Sequence, residues 1–140
     1  MDTSSRRIRH IWLFGLLAVV ASIGINLAIS VIAKTWLAAP STFAPLSFGP
    51  VIFWSVFFGV GATLVFALVA RWSKRPGTVF VRIALIVYAC TFIPDLLLLQ
   101  FPTFFPGSTL TAVLSLMTMH ALEAIIIICT FAILAARSTS

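Results

Sequence analysis

Acidic residues are almost absent from this chain, which contains three Asp and Glu residues against nine Lys and Arg residues in a length of 140. Only 9% of its residues are charged, whereas 61% are hydrophobic and the mean hydropathy is +1.18. A soluble domain usually has about 25% charged residues. This shortage of charge excludes an ordinary soluble domain and indicates a protein that lies in a lipid bilayer.

The sequence motifs of common enzymes are missing as well. The chain has no Gly-rich phosphate loop and no nucleophile elbow. Its two cysteines, Cys90 and Cys129, do not form the paired-cysteine motif of a redox enzyme. The few basic residues lie between apolar runs, so the formal charge of +6 predicts contact with lipid headgroups and no binding of nucleic acid. These absences favour a non-enzymatic protein but do not decide that question.

Long apolar runs are what the chain has in abundance. A helix needs about 20 apolar residues to cross the hydrocarbon core. The remaining chain is too short for a soluble domain, so we expect one transmembrane domain over residues 1–140. The four runs that qualify as spans are Ile11 to Ala33, Val51 to Ala70, Val79 to Leu99 and Leu110 to Ala136.

The basic residues predict how these spans are oriented. One side of the membrane receives most of them, and only Lys34 falls on the other side. Positive residues stay in the cytoplasm, so the pattern predicts an antiparallel four-helix bundle in the bacterial inner membrane, with both termini cytoplasmic. The residues on the basic side are Arg6, Arg7, Arg9, Arg71, Lys74, Arg75 and Arg137.

Polar side chains inside the spans are few, and each calls for a partner or a function, because an ionisable group in hydrocarbon costs about 2.5–3.5 kcal/mol. Counted at 1.5 Å per residue from the outer ends of their spans, Arg82 lies at a depth of about 25 Å and Glu123 at about 20 Å. Neighbouring antiparallel helices touch, so these two residues are predicted to form a structural ion pair.

A second grouping lies nearer the outer surface. Asp95, Asn26 and His120 lie at depths of about 6, 10 and 15 Å by the same count. These three could form a cluster with Glu123 that faces the outside, with Asp95 carried on a local bend at Pro94. Alternatively, Asp95 lies high enough to be wetted by water and has no special role.

His120 and Glu123 are spaced i to i+3, which places both on one face of the last span. A carboxylate and an imidazole in such a site could exchange a proton, so this pair is a candidate proton relay. Asp95 with these two residues offers three possible metal ligands, but no repeated ligand motif accompanies them, and no metal is predicted. A lone His in a membrane could also hold a pigment or lie beside a quinone.

The chain resembles the small bacterial four-span membrane families of unknown function. The resemblance rests on the basic N-terminus before Ile25-Asn26-Leu27, on the Arg75-Pro76 turn and on Met119-His120 in the last span. It covers the whole chain in outline. It supports the four-span fold, implies no activity, and leaves Asn26 and His120 as the residues to test.

Three functions remain open at this stage. The first is a small structural or accessory subunit that packs against itself, as a homo-oligomer, or against a larger membrane complex. The second is a proton-coupled transporter or channel-like protein for a small or lipophilic substrate, with a cavity lined by Asn26, Asp95, His120 and Glu123. The third is a subunit that binds a pigment or a quinone near His120; the first two require no cofactor.

Overall fold

A computed structural model describes residues 3–101 and 105–137 of the chain. A short 3-10 helix, Ala44–Leu46, lies in the connection between the first two long helices. Each long helix has the length and apolar composition of a membrane span. The predicted all-α fold, with four helices long and apolar enough to span a membrane, is therefore confirmed. The long helices are α1 Thr3–Thr35, α2 Phe48–Trp72, α3 Pro76–Gln100 and α4 Leu110–Arg137.

The turn between α2 and α3 is short because strong local signals lie on both sides of it. The Ser73 N–H donates to the Val69 carbonyl and ends α2. Pro76 opens α3, where its fixed φ suits the first helical turn and its missing N–H is not needed. Pro94 lies inside α3, which remains helical through it although the Cys90 carbonyl loses its usual donor.

The four helices contact one another unequally. Helix α1 packs extensively against both α2 and α4, and α4 packs extensively against α3. Helices α2 and α3 contact each other much less, even though only a short turn separates them in the chain. The bundle is therefore closed on three sides and loose on the side between α2 and α3.

Small residues allow α1 and α2 to approach closely. A Cβ atom at Gly15 would overlap Thr63, and one at Gly59 would overlap Val19. Ser55 is buried one turn before Gly59, so this pair of small residues packs within the chain. Gly24, by contrast, has open space around it and faces outward.

Apolar residues form a separate core at each end of the bundle. Near the α2–α3 turn, the rings of Phe66 and Phe131 stack at 4.6 Å, and Phe80 meets both edge-on. At the opposite end, Phe43 and Leu46 of the α1–α2 connection are fully buried and cap the bundle. Ser30 ties this cap to α1, since its hydroxyl donates to the Leu46 carbonyl at 2.6 Å.

Basic residues lie at both ends of the molecule. Arg71, Lys74 and Arg75 lie at the α2–α3 turn, and Lys34 lies at the other end of the bundle, with its Nζ 5.7 Å from the centre of the Phe48 ring. The side chains of Arg6, Arg7 and Arg137, which also entered the orientation argument, lie outside the described residues.

Candidate functional site

Asn26 on α1 connects three helices through its side-chain amide. Its Nδ2 donates to Ser55 Oγ on α2 at 2.9 Å and to Glu123 Oε2 on α4 at 3.2 Å. All three side chains are buried. An amide offers two N–H donors, so one Asn can satisfy acceptors on two neighbouring helices at once. Asn26 is thus the central residue of a polar layer inside the bundle.

Asp95 and His120 form the second half of this layer. His120 Nε2 lies 3.6 Å from Asp95 Oδ2, which is an ion-pair distance but longer than an ordinary hydrogen bond. Asp95 is buried, with 3% of its surface exposed, so its interpretation as a wetted surface residue does not fit. The His120 ring also meets the Phe58 ring edge-on at 6.3 Å. We call Asn26, Ser55, Asp95, His120 and Glu123 the polar cluster.

Several oxygens of the polar cluster are buried without a hydrogen-bond donor. Asn26 Oδ1, Asp95 Oδ2 and Glu123 Oε1 have no hydrogen-bond partner within the part of the chain that the structure describes. In folded proteins the great majority of buried polar atoms are hydrogen-bonded, because an unsatisfied one costs about 1–3 kcal/mol. Carboxylate oxygens without a hydrogen-bond donor, such as those of Asp95 and Glu123, can accept a proton or a cationic group.

Asn26, Asp95 and Glu123 are among the residues that line a cavity of about 470 Å³. The cavity extends from Pro45 and Phe105 of the outer connections down to the polar cluster. Its remaining walls are largely apolar. A pocket with a few polar groups on apolar walls is typical of a site for a small organic ligand. The apolar wall includes Trp54, Phe58, Leu98, Leu116 and Met119.

A smaller cavity of about 220 Å³ lies on the loose side of the bundle. Phe57 of α2 and Tyr88 of α3 line it, and its walls are almost entirely apolar. It shares Phe58, Thr91, His120 and Glu123 with the larger cavity. The two spaces therefore meet at His120 and Glu123, one opening towards the outer connections and the other towards the gap between α2 and α3.

The structure does not bring Arg82 and Glu123 together. Glu123 accepts its hydrogen bond from Asn26, whereas Arg82 is exposed and shares a recess with Ala132 near the α2–α3 turn. The depth count assumed that the outer ends of α3 and α4 are level, and they are not. Asp95, five residues before the end of α3, meets His120, ten residues after the start of α4. The two residues are therefore at the same height although their distances from the outer helix ends differ by five residues. This difference displaces α3 along α4 by about 7.5 Å relative to the level ends that the depth count assumed.

The structure bears on the candidate metal and pigment ligands in two ways. Across residues 3–101 and 105–137, no three His, Cys, Asp or Glu side chains are grouped so that they could hold a metal ion. Nε2 of His120 points towards Asp95, and this contact would have to open before that nitrogen could ligate a pigment. Binding of a pigment or quinone near His120 stays a prediction.

The sequence matches a family described as a family of unknown function (DUF6069) over residues 5–137. The chain belongs to this family. No curated protein matches the chain, and no solved structure does. The resemblance to a family of unknown function is therefore confirmed, and any activity of this DUF6069 protein must be argued from its site.

Sequence reasoning missed two features of this DUF6069 chain that bear on the site. Ser55 was not among the predicted site residues, although it accepts the Asn26 hydrogen bond. On α1, Ser22, Asn26 and Ser30 follow one another at intervals of four, and all three are buried. That spacing places polar groups on one face of a helix. It could have identified the inward face of α1.

Proposed function

We propose that this protein is an antiparallel four-helix bundle of the cell membrane with both termini in the cytoplasm. The basic residues Arg71, Lys74 and Arg75 at the α2–α3 turn support this orientation, because positive residues accumulate on the cytoplasmic side. Trp72 near that turn and Trp36 at the opposite end are both strongly exposed. Exposed Trp side chains at the two ends of a bundle suit the two membrane interfaces.

Within that bundle, the proposed activity is proton-coupled movement of a small lipophilic substrate that carries a positive charge. The observation that carries the proposal is the pair of buried carboxylates, Asp95 and Glu123, which line one cavity and each have an oxygen without a hydrogen-bond donor. Apolar walls favour a lipophilic molecule, and the carboxylates favour a cationic one. The second cavity between α2 and α3 offers such a molecule a path from the lipid.

Coupling to protons follows from the cost of an isolated charge in an apolar site. A buried carboxylate must be neutralised, either by a proton or by a positively charged group beside it. A proton and a cationic substrate therefore compete for Glu123 and Asp95. If the proton leaves to one side of the membrane as the substrate binds from the other, each site exchanges one for the other. The proton and the substrate then cross the membrane in opposite directions.

The polar residues around the carboxylates have distinct parts in this scheme. Asn26 holds Glu123 through Oε2 and leaves Oε1 free for the proton or the substrate. His120 lies one helical turn from Glu123 and 3.6 Å from Asp95, so it is placed to pass a proton between the two carboxylates.

Flux measurements in proteoliposomes test this proposal. Ethidium, a fluorescent lipophilic cation, is the probe, and an imposed pH difference is the driving force. The wild type is expected to move ethidium against the proton flow, and Glu123→Gln is expected to fall to the rate of protein-free liposomes, because the amide cannot exchange a proton. Asp2→Asn removes a carboxylate outside the predicted spans and is the matched control. Equal flux in wild type and Glu123→Gln would refute the proton coupling.

An accessory subunit or homo-oligomer is the second candidate, and the exposure of α3 favours it. Pro76, Phe80 and Asp95 are the buried residues of α3, so most of its apolar surface faces away from the bundle. Lipid or another helix could cover that surface. Native mass spectrometry of the protein purified in a mild detergent distinguishes a lipid-covered surface from a helix-covered one. A defined complex supports an assembly, and a monomer without partners contradicts it.

A further inference from the structure

A recess of about 630 Å³ lies between the start of α3 and the end of α4, at the opposite end of the molecule from the outer connections. Three basic side chains line it, Lys74 and Arg75 from the α2–α3 turn and Arg82 from α3. The other walls consist mainly of small or apolar residues, among them Ala132 and Ala135. Because the alanine side chains are short, they leave space in the recess next to the cationic groups.

Arg82 is the most informative residue of this recess. It lies six residues into α3, about 9 Å from the helix start, within a segment that has the composition of a membrane span. Within residues 8–101 and 105–136, whose side chains the structure describes, the acidic residues are Asp95 and Glu123, and both belong to the polar cluster. An anionic partner stabilises a cation at this depth, and the described part of the protein does not supply one.

The backbone adds donors to the same recess. Gly77 and Thr78 line it and lie in the first turn of α3, where backbone N–H groups have no acceptor within the helix. No side chain caps this helix start. The N-terminal end of a helix carries a partial positive charge that favours an anion such as phosphate. Three cationic side chains and this helix start thus converge on one space.

We propose that this recess binds the phosphate of an anionic phospholipid headgroup. The shared chemistry is that of any phosphate, but the depth of Arg82 favours a lipid over a soluble ion. A headgroup held at this level leaves its acyl chains beside the apolar residues of α3 and α4, as in the surrounding bilayer. The site is independent of the transport activity proposed above, because it shares no residue with the two cavities of the polar cluster.

Lipid binding to the purified full-length protein tests this site. The protein in mild detergent is titrated with phosphatidylglycerol or phosphatidylcholine, and the bound lipid is counted by native mass spectrometry. The wild type is expected to bind phosphatidylglycerol in preference to phosphatidylcholine. Arg82→Gln is expected to weaken phosphatidylglycerol binding about fivefold, because each basic group near an anionic lipid contributes about that factor.

Matched variants make the result specific to the recess. Arg71→Gln removes the same charge at the same end of the bundle but outside the recess, and should change the affinity less than twofold. Arg82→Lys keeps the charge and should retain most of the affinity, which separates loss of charge from misfolding. Size-exclusion chromatography and circular dichroism check that each variant is folded.

Three results would overturn the assignment. Equal binding of the two lipids by the wild type would show that no anion site exists. Equal losses in Arg71→Gln and Arg82→Gln would show a diffuse basic surface instead of a site at the recess. Binding of inorganic phosphate by the lipid-free protein, with displacement of phosphatidylglycerol at millimolar phosphate, would make a soluble phosphate the ligand.

Discussion

The two halves of the bundle are built differently. Near the α2–α3 turn, the rings of Phe66, Phe80 and Phe131 fill the space between three helices. In the other half, a cavity of about 470 Å³ reaches the polar cluster, which two hydrogen bonds from Asn26 and one ion-pair contact hold together. The same four helices therefore provide an aromatic end and a polar end that combines a cavity with a second apolar core.

The difference shows how a small membrane protein can combine stability with a binding site. Lipid is as apolar as a Phe side chain, so association of helices depends on close packing and on interhelical hydrogen bonds. The aromatic core supplies the packing and can keep the helices together. The polar end can then keep unpartnered oxygens that would be costly in a bundle without such a core.

The largest expected effect comes from breaking the aromatic core. Phe131 is fully buried, and Phe131→Ala is expected to lower the free energy of unfolding by about 2–3 kcal/mol, which is the cost of the cavity alone because a Phe ring gains little by leaving lipid. Equilibrium unfolding in mixed SDS and mild-detergent micelles measures this value. Phe53→Ala makes the same change on an exposed face of α2 and is the control. A loss no larger than that of the control would refute the stabilising role of this core.

Loss of the Asn26 side chain should destabilise the protein less than Phe131→Ala does, but it should weaken ligand binding at the polar cluster more. Asn26→Ala removes both hydrogen bonds and leaves Glu123 Oε2 without its donor, so we expect a loss of about 1–2 kcal/mol. The same unfolding assay measures it, and ethidium binding to the folded protein should weaken as well.

The control for Asn26 is Thr118→Val. It removes a hydroxyl that donates to the Leu114 carbonyl of the same helix and is exposed. It should change neither unfolding nor ethidium binding. If Asn26→Ala behaved like this control, the hydrogen bonds of the polar cluster would contribute nothing to the polar end of the bundle.

Removal of the Ser55 hydroxyl is the smallest of these changes. In Ser55→Ala, Asn26 can still donate to Glu123, so we expect a loss of about 0.5–1 kcal/mol in the free energy of unfolding. Ser115→Ala is the control, because that hydroxyl donates to the Thr111 carbonyl within α4. In the Asn26→Ala background, Ser55→Ala should have almost no further effect. Additive losses would contradict a shared hydrogen bond.

Much of the fold could be predicted because it depends on composition and length. Any helix of about 20 apolar residues can satisfy its backbone hydrogen bonds in lipid, so the four helices followed directly from the four apolar runs. The scarcity of polar residues inside them also singled out Asn26, Asp95, His120 and Glu123, which the structure brings to one cavity.

Pairing between helices could not be predicted in the same way. Glu123 contacts Asn26 of α1, whereas the sequence suggested Arg82 of α3 as its partner. The prediction depended on the relative height of two helices, and that height is set by loop length and by packing of side chains between them. Helix α1 is far from α4 in the chain but packs extensively against it, and no local pattern in either segment encodes this contact.

By itself, the sequence determined that this DUF6069 protein has four apolar helices long enough for a membrane, because hydrocarbon admits few backbone structures and few charges. Its shortage of acidic residues also drew attention to Asp95 and Glu123 before any contact was known. Only the tertiary structure decided that both carboxylates face one cavity and that Arg82 stands apart from them. The relative height of the helices and the choice of which helices touch depend on packing between segments that are distant in the chain. The residues of one helix alone do not specify that packing.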